Sequence, residues 1–171
     1  MLLCNHEDHG KTDPMRIIGI DPGTGILGFG VIETDSGKPV LVDAGVIRTP
    51  AHEDDVIRLQ TIFDELTDII VQTKPTHMAV EKLFFARNVT TAMTVAQARG
   101  VVLLCGSQAR LEIAEYTPLQ IKMAITGYGK ADKKQIQEMV RLHLGLSEVP
   151  KPDDCADALA AALTYAQSRK V

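Results

Sequence analysis

IIGIDPGTGILGFGVIET, residues 17–34, decides how the rest of the chain is read. Two runs rich in Ile, Val and Phe flank DPGTG, residues 21–25, where Pro22, Gly23 and Gly25 interrupt them, so the pattern predicts a strand, a tight turn and a second strand. Gly23, Gly25 and Gly28 also spell the G-x-G-x-x-G pattern of dinucleotide sites, which works only where it opens a helix whose N-terminus meets the pyrophosphate. ILGFGVIET has no 3.6-residue period, so these glycines open a strand instead.

Outward from this hairpin, a second turn at DSGKP leads into PVLVDAGVIRT, a third β-like run. EDDVIRLQTIFDELTDIIVQTK places Val56, Leu59, Ile62, Phe63, Leu66, Ile69 and Ile70 at helical spacing with acids in its first turn. Pro75 ends that helix, HMAVEKLFF reads as a buried strand, and NVTTAMTVAQARGVVLLCGSQAR returns to a long apolar helix. LEIAEYT predicts a fifth strand. DKKQIQEMVRLHLG, closed by Gly145, and PDDCADALAAALTYAQSRK, with Pro152 near its first turn, predict two final helices. The order βββαβαβαα implies a mixed five-stranded sheet flanked by helices.

The 171 residues, 45% apolar and 23% charged, suit one globular unit over residues 15–171, and no apolar run approaches the length of a membrane span. Residues 1–14 lack periodicity and the apolar core of a signal peptide, and are expected to be a disordered extension. Their Cys4, His6, Asp8 and His9 offer no fixed geometry for zinc. Three widely spaced cysteines, Cys4, Cys105 and Cys155, fit reduced thiols and a cytoplasmic setting. Aromatics are 4% and Trp is absent, which argues against a general stacking platform for single strands. Net charge is −8 over residues 1–81, +5 over 82–134 and −1 over 135–171, so an acidic chain carries a locally basic middle that suits a polyanion.

Four acids stand in apolar surroundings. Asp21 closes a hydrophobic strand beside a turn open to phosphate, which suits a metal ligand, although a turn-capping role is also open. The Asp21-x-Gly23-Thr24 hairpin is in addition similar to the phosphate loop of the actin and sugar-kinase superfamily, a two-domain ATP fold that one chain of this length does not hold. Glu81 interrupts a buried strand, where an unpaired carboxylate costs several kcal/mol, so it needs a cation, with Lys82 and Arg87 as structural alternatives. Asp154 and Asp157 are three apart on one helix face, whereas Asp153 and Asp154 also answer the helix macrodipole. Ala158 and Ala161 on this stripe are small enough to let the helix pack close to a sheet. Oxygen-only donors favour Mg²⁺ or Mn²⁺, one or two ions, and clustered carboxylates around such ions are the usual device for in-line attack on phosphodiesters.

The segments IIGIDPGTGILGFGVI, AVEKLFFARN, AQARGVVLL, QIKMAITGYGKADKKQIQEMV and DDCADALAAALTY resemble, in order and over nearly the whole chain, the RuvC family of Holliday-junction resolvases, with an RNase H-like fold. The resemblance implies a homodimeric, Mg²⁺-dependent endonuclease that makes paired, symmetric nicks in four-way junction DNA during recombination and repair, with the RuvAB branch-migration complex as a partner. It assigns the catalytic and metal-binding acids to Asp21, Glu81, Asp154 and Asp157; some relatives carry His at the position of Asp154. Lys133, expected as a catalytic group too, and Lys122 match lysines used near the scissile phosphates. Lys130, Lys134 and Arg87 are further expected phosphate contacts, and Phe84 matches an aromatic that inserts at the opened junction. Within AQARGVVLL, an apolar face left over after covering the sheet is a natural dimer interface.

Overall fold

Alternating apolar residues on both sides of the DPGTG turn give the hairpin expected for it. Strands β1 (Met15–Asp21) and β2 (Ile26–Thr34) pair antiparallel from Met15 opposite Thr34 to Asp21 opposite Gly28. The structure, a computed structural model, describes residues 14–35, 38–82 and 89–169, of which 89–91 as backbone only. The expected N-terminal extension therefore lies, except for Pro14, outside the described residues. β3 (Pro39–Arg48) adds to β2 antiparallel, with a register shift at Val31/Ile32. Helix α1 (Asp55–Thr73) then crosses to β4 (His77–Glu81), and α2 (Val89–Gln108) crosses to β5 (Glu112–Tyr116). β4 pairs parallel with β1, and β5 with β4, which makes the mixed five-stranded order β3-β2-β1-β4-β5.

The two-residue alternation of the strands sorts the sheet into two cores. Ile18, Ile20, Leu27, Phe29, Val31, Met78 and Val80 face α1 and α2, meeting Ile62, Leu66 and Ile70 of the first and Ala98, Val102 and Cys105 of the second. Ile17, Ile32 and Ala79 face the opposite layer of three helices. Val56, expected on the apolar stripe of α1, is 76% exposed; it stands in the first turn, and the buried residues of the helix begin at Ile62.

The opposite layer differs from expectation in one element. Between β5 and the expected lysine-rich helix lies an additional one, α3 (Pro118–Thr126), followed by α4 (Lys133–Leu144) and α5 (Asp153–Ser168). Its cues are local: Thr117 Oγ1 accepts from the Gln120 amide at 3.2 Å, and Gln120 Oε1 accepts from the Thr117 amide at 2.8 Å. Pro118 occupies the first turn, and Gly127 ends the helix at φ 70°, where glycine is unstrained. Thr117→Ala removes one half of this reciprocal cap. It is expected to cost about 1 kcal/mol, seen as a melting temperature about 3 °C lower by calorimetry.

α5 is the most deeply buried helix, and glycines seat it. A Cβ built on Gly19 of β1 would lie 2.0 Å from the Ala158 carbonyl oxygen, and one on Gly28 of β2 would lie 2.1 Å from that of Asp154. Side chains at these strand positions would hold the helix away from the sheet. The expectation that Ala158 and Ala161 permit close approach holds, since both are fully buried against it.

Candidate active site

Three of the four acids sit where an element begins or ends at one edge of the sheet, and the fourth lies one helical turn further on. Asp21 is the last residue of β1 and Glu81 the last of β4. These strands are parallel neighbours with Ile20 in register with Val80, so the two carboxylates emerge side by side. The first turn of α5 lies over the same edge, because Gly28, the partner of Asp21 across the hairpin, touches the Asp154 backbone. Asp157 follows one turn later.

The electrostatics show that these groups share one field. Burial, and then the charges of Glu81, Asp157 and Asp154, push the Asp21 carboxyl from 3.8 up to about 8. Glu81 is also raised, by burial and then by Asp157, against the pull of Lys122 and Lys133. Burial raises Asp157, opposed by a hydrogen bond and charge from Lys133. Lys133 Nζ stands 3.2 Å from Asp157 Oδ2 and 3.4 Å from Asp153 Oδ2. Burial lowers the Lys133 ammonium, but the bonds and charges of Asp157 and Asp153 outweigh it and leave its pKa raised.

Among the described residues, no group of three or more His, Cys, Asp and Glu side chains is arranged to hold a metal ion as it stands. The backbone brings the acids to one edge, but Asp157 is engaged by Lys133 and the cluster does not form a closed cage. Its donors are nevertheless all carboxylate oxygens, and the elevated Asp21 pKa marks a deficit of positive charge that a hard dication would remove. Asp21, Glu81, Asp154 and Asp157 thus fit Mg²⁺ or Mn²⁺ by donor chemistry and by charge.

Of the expected basic residues that the structure describes, Lys122 and Lys133 stand with the acids, whereas Lys130 and Lys134 do not. A cavity of about 200 Å³ is lined by Glu81, Asp157, Lys122 and Lys133 over an apolar floor that includes Ile121 and Ile136. Lys122 comes from α3 and Lys133 from the first residue of α4, so the unexpected helix supplies one wall. Lys134, one residue on, points into a separate groove with Tyr128, Glu138 and Met139, and exposed Lys130 lines neither. Phe84 and Arg87 lie outside the described residues. Asp153, which the sequence marks only as a helix-start acid, stands four residues from Asp157 and so on the same helix face, and that spacing is the signal of a shared partner.

In metal-free protein the raised Asp21 pKa has a stability consequence with a definite sign. Between the unfolded value near 3.8 and the folded value near 8 the native state holds the proton more tightly, so stability is fully present below pH 4 and is lost as pH rises toward 8. Asp21→Asn removes this penalty. In EDTA at pH 8 the variant is expected to melt at least about 5 °C above the parent and at pH 4 close to it, by differential scanning calorimetry.

A three-stranded antiparallel meander continued by two parallel strands, helices on both faces and acids gathered at the ends of β1, β4 and α5 define an RNase H-like domain with a carboxylate cluster. Residues 17–165 match the family model described as crossover junction endodeoxyribonuclease RuvC. The chain is 56% identical over 154 residues to the crossover junction endodeoxyribonuclease RuvC of Heliobacterium modesticaldum, covering 90% of this chain and 95% of that one. Its Fusobacterium nucleatum counterpart is 53% identical, covering 90% and 81%. Among solved structures, Thermus thermophilus RuvC in complex with Holliday junction substrate superposes with a TM-score of 0.87 at 37% identity, over 91% of this chain and 95% of that one. The chain belongs to the RuvC family.

Proposed function

We propose that this protein is a structure-selective endonuclease that resolves Holliday junctions by paired, symmetric hydrolysis of DNA phosphodiesters in recombination and repair. The observation that carries this reading is the convergence of Asp21, Glu81, Asp154 and Asp157 on one edge of the sheet, beside a cleft walled by Lys122 and Lys133. Family membership supplies the substrate class.

The roles follow from the chemistry of the groups. The four carboxylates would hold one or two Mg²⁺ ions, with Mn²⁺ as a substitute, and the chemistry such ions would supply is a more acidic attacking water and a stabilised leaving 3′ oxygen. Glu81 and Asp157, both half-buried at the cleft, supply two of the carboxylates that would bind the cation there. Lys122 and Lys133 contact the non-bridging oxygens and offset charge that builds there in the transition state. Exposed Lys130 and Lys134 suit outlying phosphates, and Arg87 and Phe84 keep the DNA contacts that the family resemblance implies.

Paired nicks need two sites, so the working unit is a homodimer. Met93 and Leu104 of α2, spaced eleven apart and thus on one side of the helix, are 63% and 50% exposed, and support a place for the partner there. RuvAB is the branch-migration partner by family, and residues 15–171 act as a single nuclease unit. No described helix is long and apolar enough to cross a membrane. The setting this reading implies is the cytoplasm, where a bacterial chromosome lies.

The test is a mobile synthetic four-way junction incubated with the protein and Mg²⁺. Symmetric nicks that ligase seals are expected; intact junctions at every divalent ion tried would refute the reading.

A further inference from the structure

Lys133 occupies a position that a simple phosphate-binding lysine does not require. Its ammonium bridges two carboxylates of one helix face, Asp157 at 3.2 Å and Asp153 at 3.4 Å. The two anchors differ: the Asp157 side chain is 24% exposed and faces the acid cluster, whereas that of Asp153 is 61% exposed and stands at the rim. A dication bound by Asp157 would lie within a few ångströms of the ammonium, and two like charges that close repel strongly in a partly dehydrated cleft. Lys133 and a cation on Asp157 are therefore competitors, and Asp153 is placed to keep the displaced ammonium at the cleft mouth.

We propose that Lys133 is the resident counter-cation of the metal-free site, and that Asp153 is a positioning residue which receives it when a divalent cation takes Asp157. The inference rests on the metal-dependent nuclease reading and deepens it. Loading the site then does two things together: it completes the carboxylate cluster and releases Lys133 from Asp157 toward the space where a phosphate oxygen sits. The weak, solvent-exposed pair with Asp153 suits such a transfer, since an ion pair of that kind is held loosely and exchanges easily.

The experiment is calorimetric titration of Mn²⁺ into DNA-free protein, with thermal melts to confirm folding of each variant. Lys133→Met removes the competitor and is expected to tighten Mn²⁺ binding about tenfold, while Lys122→Met, a charge in the same cleft that no carboxylate of α5 holds, changes it less than about threefold. Asp153→Asn leaves the ammonium wholly on Asp157 and is expected to weaken binding about threefold to fivefold, an effect that disappears in the Lys133→Met background. Binding that is unchanged or weaker in Lys133→Met, an equal gain in Lys122→Met, or an Asp153→Asn effect that persists without Lys133 would each overturn the proposal while leaving the nuclease reading intact. A parent protein that takes up no Mn²⁺ would overturn both.

Discussion

Glu81→Gln is expected to lower junction cleavage by about 10³-fold, a loss of roughly 4 kcal/mol in transition-state stabilisation, with junction binding kept or slightly tightened. The substitution conserves size and hydrogen-bonding capacity, so β4 retains its register between β1 and β5. What is lost is a charge in a cluster whose members act on one another: after burial, Glu81 is the charge that raises Asp21 most, and Asp157 the charge that raises Glu81 most. Taking one away relaxes the repulsion that stores affinity for a dication and leaves the attacking water less acidic. Binding follows the opposite sign, because one fewer negative charge faces the phosphates. Cleavage within tenfold of the parent, measured at saturating Mg²⁺ on a labelled junction, would remove Glu81 from the chemistry.

Gly28→Ala carries the other large effect, and it acts through packing. The added methyl would sit 2.1 Å from the Asp154 carbonyl oxygen and 2.6 Å from its carbon, both backbone atoms that cannot rotate away. The N-terminal turn of α5 must therefore lift from β2. Overpacking of this kind costs about 3 kcal/mol, so melting is expected about 6 to 12 °C lower. Activity should fall further than stability alone explains, since a displacement of about 1 Å in a positioned catalytic group costs about 10²-fold. A variant that melts with the parent and cleaves at the parent rate would contradict the seating of α5 by glycine.

The reach of the sequence is clearest in Gly28 itself. Residues 17–34 alone exclude a dinucleotide loop, because β-branched residues without helical period follow the glycines, and β1 and β2 form as that pattern demands. Why glycine is needed there is a property of the helix that arrives more than a hundred residues later. The acids were legible for the same reason that they are unusual: Glu81 breaks an apolar strand, and Asp157 lies among residues that are almost all buried. Helix α3 was missed although Thr117, Pro118 and Gln120 form a full N-terminal cap, because its nine residues are too short to display a periodic stripe. The Lys133 bridge to Asp153 and Asp157 was invisible for a different reason. It joins the starts of two helices through tertiary packing, and one-dimensional charge counting treats such a lysine as part of a basic stretch.

The most direct test of the central claim, that these four acids jointly bind the catalytic cation, is a crystal soaked in Mn²⁺ and measured at the manganese absorption edge. An anomalous peak is predicted about 2.1 to 2.3 Å from carboxylate oxygens of Asp21 and of at least one of Glu81, Asp154 and Asp157, with Lys133 withdrawn from Asp157. A peak bound elsewhere, or no peak at a concentration that supports cleavage, would contradict it.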